Sequence, residues 1–466
     1  MTDPIDKTLR HWLGAQSPVR WSVPGDNAYD NATAIWSKPI GRLPRAVVHC
    51  RNTDDVRSAI QAARDCQLPL SVLGGGHDWA GRALAGGIVI DLRAMDDVLV
   101  SPDRLSARVS GGVRASGILA AAEPYDLAAV TGSVGAVGMA GLTLGGGYGP
   151  LIGRFGLALD NLLAAQVVLA DGRVVLADPD HEPELFWALR GGGGNFGVVT
   201  AMRHRLHSVP SVRSGMLVYP FSEARAVLQG CTDIANSAPE DLTVQVGCIG
   251  GPDGAPVAFV VPTWCGLPAE GDAQVAPFLK LGTLLANTVD TTSYAASLTA
   301  FDAYVVNGQR TFMETCWLPA FDGDAIDVVI HAMQMAVSPG CAIFTHEFKG
   351  AASRVPADAT AFGLRRDHVL IEILAAFVDR SDNAEAGRHH QWARATRQAF
   401  DATALPGGYP NFLVGGDAVR IAKSYGANAQ RLIKAKQHYD PDNVFSAAIP
   451  LPDGGSIARA SRPASQ

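Results

Sequence analysis

Leu70-Ser71-Val72-Leu73-Gly74-Gly75-Gly76-His77-Asp78 is the stretch on which the reading of this chain turns. A short apolar strand runs into three glycines, and one imidazole follows. Glycines let backbone N–H groups come close to a pyrophosphate, and a histidine beside them can bond covalently to a flavin ring. The combination points to a tethered FAD. The alternative is a flexible turn carrying a surface histidine, and it loses ground downstream. Thr131–Gly149 holds eight glycines in nineteen residues, and Gly191–Gly194 makes a third cluster.

Outward from that stretch the pattern is α+β. On the N-terminal side, Thr53 is the expected cap of a helix with Asp54 and Asp55 in its first turn and Val56, Ala59, Ile60 and Ala63 at helical spacing, ended by Pro69. Strands are expected over 86–92 and 104–112, and a helix over 113–123. The 131–149 stretch is too rich in glycine for a stable helix or strand interior and reads as backbone laid against a ligand. Residues 165–178 read as a hairpin turning on Asp171-Gly172 as a two-residue loop. A helix, a glycine loop and a strand follow it. Beyond Pro210 the clusters stop, and strands at 215–221, 242–250 and 257–265 alternate with amphipathic helices. Residues 405–416 and a helix over 425–445 return toward the first part, and the last dozen residues read as a loose tail.

Charge and composition narrow the partners. The 466 residues are 47% apolar and 18% charged, which is globular, and the net charge of −7 comes with no basic block to neutralise a nucleic-acid backbone. Seven scattered cysteines, none spaced as CxxC, indicate reduced thiols and no zinc site. The N-terminus shows no secretory signal, and no apolar run is long enough for a membrane span. These features lead to a cytoplasmic protein with a small-molecule partner, no metal and no membrane; they leave the oligomeric state open.

One motif is set aside. Gly192, Gly194 and Gly197 satisfy GxGxxG, but that fingerprint follows a strand and opens a helix. Here PELFWALR precedes and VVTAM follows, the reverse order.

As a set, SVLGGGHD, LTLGGGYG, GLALDNLLAAQVVLADG, FWALRGGGGNFGVVT, YPNF and YDPDNVF resemble the FAD-linked oxidases of the vanillyl-alcohol oxidase superfamily, of the berberine bridge enzyme type. The resemblance implies a two-part PCMH-type FAD-binding domain, residues 1–210 and 405–466. Between the parts, residues 211–404 form a substrate domain on an antiparallel sheet covered by helices. It implies a flavin attached to His77 and cradled by Gly74, Gly75, Gly76 and Asp78, with Ser133, Gly138 and Gly141 on the other side. Val198 falls where the family's backbone meets the adenine end, and Asn411 near the isoalloxazine. Many relatives add a cysteinyl bond from the GxCxxVG stretch. Val134 stands there, so the resemblance implies attachment through His77 alone, in the style of singly linked bacterial members of the 6-hydroxynicotine oxidase type.

The catalytic base is left among several residues. Some relatives place a tyrosine after the asparagine of YxN, but Phe412 has no ionisable hydroxyl. Candidates are Glu372, Tyr148, Tyr304, His346 and Tyr409. Glu372 sits in an apolar strand, where a carboxylate in a desolvated pocket suits general-base work. Its competing role is an ion pair with Arg365 or Arg366. The implied activity is hydride transfer from an alcohol or amine carbon of a small substrate to FAD, with O2 as the acceptor that yields H2O2. The alternatives are an oxidative cyclase or tailoring enzyme, a dehydrogenase with another acceptor, and a flavin-carrying binding protein.

Overall fold

The structure is a computed structural model that describes residues 19–38, 43–302, 305–378 and 383–460, with five scattered positions before residue 19. Its first sheet has the order Arg20–Ser22, Ala46–His49, Ile88–Asp91, Leu70–Leu73. The last three strands run parallel, and Arg20–Ser22 is antiparallel at the edge. Parallel neighbours need a crossover, which the helix Thr53–Asp65 supplies by burying Val56, Ala59, Ile60 and Ala63. Its cap is Asn52, whose side chain accepts from the Asp55 amide, and Thr53 is the first helical residue. Strand Leu70–Leu73 ends at the carboxyl edge of this sheet, so the glycines and His77 leave where ligands of parallel sheets bind.

A second sheet is antiparallel, in the order Val98–Val100, Ser106–Ser110, Val198–Arg205, Leu162–Val168, Val174–Ala177. Its hairpin turns on three residues, Ala170 to Gly172: the Leu169 amide bonds to the Arg173 carbonyl, and Gly172 takes φ +83°. This is the type I turn with a following left-handed residue, for which glycine is preferred. The order helix Pro183–Gly192, glycine loop, strand Val198–Arg205 is observed, which removes the GxGxxG reading.

The glycine-rich stretch contains a helix, Met139–Gly145, where composition argued against one. Burial overrides propensity there: Met139, Thr143 and Leu144 are enclosed, and the Asn411 side chain occupies the place a Cβ on Gly145 would need.

The largest sheet has the order Ala286–Asn287, Leu217–Pro220, Pro256–Trp264, Leu242–Gly250, Cys341–Phe348, His368–Phe377, Arg310–Leu318, with Val212–Ser214 and Asp290–Thr292 appended. Helices Ala224–Ser237, Gly323–Gln334 and Asn383–Ala399 cover one face. Period-two alternation turns Ile343, Ile371 and Ile373 into that helical core. Phe344, His346, Glu372 and Leu374 therefore look the other way, toward the glycine loops.

The C-terminal segment packs on the first two sheets. Arg82 donates to the Asn411 carbonyl at 2.6 Å, Lys436 to the Asn195 carbonyl at 2.8 Å, and the Asn195 amide to the Ile449 carbonyl at 2.8 Å. Helices run over Ala418–Tyr425 and Ala429–Tyr439, and Gly454–Ala460 is helical where a loose tail was expected. Arg365 makes a bidentate pair with Asp160 at 2.8 and 2.9 Å, joining the large sheet's connection to the 157–161 turn.

Four histidines are held neutral, burial being the main cause in each: His77, His204 and His207 are pushed down to about 4, and His368 to about 3. The unfolded chain takes up these protons first, so the stabilisation is full above the ordinary histidine value and is lost as pH falls through it. Thermal melts should show a plateau above about pH 6.5 and a steady loss between 6.5 and 4. A melting temperature flat to pH 4 would contradict this.

Candidate active site

A cavity of about 530 Å³ lies between the glycine loops and the open face of the large sheet. Its lower wall is made of two glycine loops in backbone contact. A Cβ on Gly75 would strike the Gly138 backbone, and one on Gly138 would strike Gly75, so both positions exclude any side chain. Gly74, Gly76, Ser133, Gly141 and Val198 also line the cavity. A Cβ on Gly141 or Gly194 would meet no atom within 4 Å, leaving open backbone along the wall.

The Asp78 carboxylate fastens the loop from within. It accepts from the Ala83 amide at 3.0 Å and from Arg82 Nε at 3.2 Å, and Arg82 carries the link on to Asn411. His77 lies parallel to the Trp36 indole, with ring centroids 4.2 Å apart and planes 8° apart. Burial and the Arg114 charge keep its imidazole neutral, so a ring nitrogen has an available lone pair.

The upper wall is the sheet face. Gln245, Ile249, Met313, Phe344, His346, Glu372 and Leu374 contribute to it, apolar except for one cluster. There Glu372 Oε1 stands 2.9 Å from His346 Nε2, with the Gln245 amide 3.4 Å from the same nitrogen. The competing ion pair with Arg365 or Arg366 is not seen among the described residues: Arg365 is committed to Asp160 and Thr360, and the partner of the Glu372 carboxylate is His346 on the adjacent strand.

The two described tyrosine candidates line the cavity with their hydroxyls engaged by protein partners. Trp317 Nε1 donates to the Tyr148 oxygen at 3.1 Å, and Tyr148 donates to His368 Nε2 at 2.7 Å, because His368 Nδ1 donates to the Arg366 carbonyl. The Tyr148 hydroxyl is thus used up inside the protein, and burial, reinforced by nearby Tyr409, raises its pKa well above the ordinary value. The Tyr409 oxygen accepts from the Gly147 amide at 2.8 Å and from Asn411 Nδ2 at 2.9 Å. Burial, with the Glu372 charge adding to it, pushes this phenol up to about 12. Its job is to hold Asn411, whose amide also reaches the Leu142 carbonyl at 3.2 Å. Tyr304 lies outside the described residues. Four of the five base candidates, Tyr148, His346, Glu372 and Tyr409, line the cavity, and Glu372 and His346 pair with each other there.

The residues fit a flavin dinucleotide. The wall offers bare glycine backbone on one side and, among the described residues, a buried indole donor without a partner, Trp79 Nε1. Val134 also lines the cavity. Sequence reasoning missed Trp36, Trp79, Arg82 and Gln245. The alternation of Leu242–Gly250 could have placed Gln245 on a face, but not which face; Trp36 carries no local signal.

Comparison with known proteins agrees with this geometry. Residues 44–178 match the FAD binding domain family, and residues 408–452 match the berberine and berberine-like family. The FAD-linked oxidoreductase aurO of Gibberella zeae is 29% identical over 428 residues, 90% of this chain and 82% of the relative. The (R)-6-hydroxynicotine oxidase of Paenarthrobacter nicotinovorans is 37% identical over 227 residues, 48% of this chain and 50% of that protein. Among solved structures, 6-hydroxy-D-nicotine oxidase of Arthrobacter nicotinovorans superposes with a TM-score of 0.83 at 28% identity, covering 93% of this chain and 98% of that one. Berberine bridge enzyme in complex with (S)-reticuline shares the fold, with a TM-score of 0.81 at 20% identity, covering 95% and 97%. The chain is an enzyme that uses FAD. Over most of its length it is similar to FAD-linked oxidoreductases of the berberine bridge enzyme-like type.

Gly75→Ala should force the two glycine loops apart. The ratio of visible flavin absorbance to protein absorbance should fall to about a tenth or less, with a loss of roughly 1–3 kcal/mol in stability. Full flavin content in this variant would mean that the loops do not form the cradle.

Proposed function

We propose that this enzyme is an oxidase acting on an alcohol or amine carbon of a small, largely apolar substrate, with FAD held covalently by His77 alone. The observation that carries the reading is the Glu372–His346 pair, the polar focus of an otherwise apolar sheet face across the cavity from the glycine cradle. When bound, FAD supplies the two-electron acceptor for a substrate hydride, and O2 takes the electrons on and leaves as H2O2.

The chain's own residues do the rest. Backbone amides of Gly74, Gly75 and Gly76 would hold the pyrophosphate, with Ser133, Gly138, Gly141 and Val198 along the cofactor and Asn411 beside its ring. Ile249, Met313, Phe344 and Leu374 exclude water and grip the substrate's apolar body, which fixes the donor carbon by orientation. The Glu372 carboxylate takes the substrate O–H or N–H proton, and His346 Nε2 holds that carboxylate in place. The neutral state of His77 leaves a nitrogen free to bond carbon. Val134 offers no thiol for a second bond. Cytoplasmic location is part of the proposal and rests on sequence features alone. Among the described residues, no helix is long and apolar enough to cross a membrane.

Anaerobic stopped-flow mixing with a panel of alcohols, amines and phenols should bleach the flavin, and admission of air should restore its colour with release of H2O2. No bleaching across the panel would favour a binding protein, and recovery only with an artificial acceptor would favour a dehydrogenase. With a substrate in hand, Glu372→Gln should slow bleaching by roughly 10²–10⁴-fold. His346→Gln should slow it less and shift its pH profile. An unchanged rate in Glu372→Gln would remove Glu372 as the base.

A further inference from the structure

Nothing in the sequence marks Trp36, yet it is fixed more tightly than a wall residue needs. Its amide donates to the Gly76 carbonyl at 3.0 Å, and its own carbonyl accepts from the Gly308 amide at 3.1 Å. The residue is therefore tied on one side to the glycine loop and on the other to the 305–309 connection of the large sheet. Ile35 lies beneath Gly76, whose φ is +76°. The indole lies flat on the His77 imidazole.

The neighbourhood explains what that contact can do. His77 follows three glycines, whose missing side chains give no lateral support to the imidazole. Among the described residues its ring nitrogens have no hydrogen bond, so no polar partner sets the ring's plane either. The indole is the planar group that does. A parallel stack covers one face of the imidazole and leaves its nitrogen-bearing edge free of the indole, and His77 lines the cavity.

We propose that Trp36 is the positioning residue for covalent flavin attachment: its stack holds the His77 ring in the plane from which a nitrogen bonds the flavin methyl carbon. This deepens the reading of His77 given above and rests on it. In the attachment step one C–N bond forms, and a methyl C–H bond and the imidazole N–H bond break. The two electrons and two protons pass to the ring system and then to dioxygen, which leaves as hydrogen peroxide. Trp36 takes no part in that exchange; it reduces the orientations His77 must search.

The test uses the full-length purified chain. Total bound flavin is read from visible absorbance, and the covalent fraction from ultraviolet-excited fluorescence of the denatured protein band, followed in time after FAD is added in air. Trp36→Ala should bind FAD without the bond and attach it about tenfold or more slowly, while Trp36→Phe, which keeps a flat ring, should stay within about threefold of the unaltered protein. Trp36→Leu keeps apolar bulk without a ring; it should behave as Trp36→Ala and replaces it if that variant does not fold. Attachment at the unaltered rate in Trp36→Leu or Trp36→Ala overturns the role of Trp36 while leaving the His77 linkage intact. Absence of covalent flavin in the unaltered protein overturns both.

Discussion

The contact on which the rest depends is that of Gly75 with Gly138, two bare backbones pressed together with no room for a Cβ on either. It brings the end of the parallel strand Leu70–Leu73 against the start of the short helix Met139–Gly145. From it follow the other constraints. Asn411 enters the space that Gly145 leaves, Tyr409 holds Asn411, and Arg82 ties the Asn411 carbonyl back to Asp78. Three distant parts of the chain thus converge on one wall, and Gly75, Gly138 and Gly145 have no room for a side chain where they meet.

The opposite wall obeys a different rule. Alternation along Cys341–Phe348 and His368–Phe377 separates an isoleucine-rich face, packed on helices, from a face bearing Phe344, His346, Glu372 and Leu374. A one-residue slip of either strand would exchange the two sets. The Glu372–His346 pair therefore depends on register, and register is held by helical packing on the far side of the sheet. Core packing and chemistry are linked through a single period-two pattern.

The parts legible in the sequence are those set by local chemistry. Leu70–Asp78 announces strand, glycine loop and histidine within nine residues, and the helix over Thr53–Asp65 follows from its apolar spacing. The helix Met139–Gly145 was not legible, because its glycines disfavour helix and only burial against distant residues reverses that. The same limit hid the fates of the tyrosines. Tyr148 is spent on Trp317 and His368, 169 and 220 residues further along the chain, and Tyr409 is bonded to Gly147, 262 residues before it. Glu372 was identifiable as a carboxylate in an apolar strand. Its partner was not, since the adjacency of two strands is a property of the sheet order and not of either segment.

The central claim is that the glycine cradle and His77 together hold one FAD by a single covalent bond. Intact-mass measurement of the denatured protein, followed by peptide mapping, tests it most directly. The account predicts an added mass of roughly 0.8 kDa, carried by the peptide containing His77 and by no cysteine peptide. A polypeptide of unmodified mass, or flavin mapped to another residue, would contradict it.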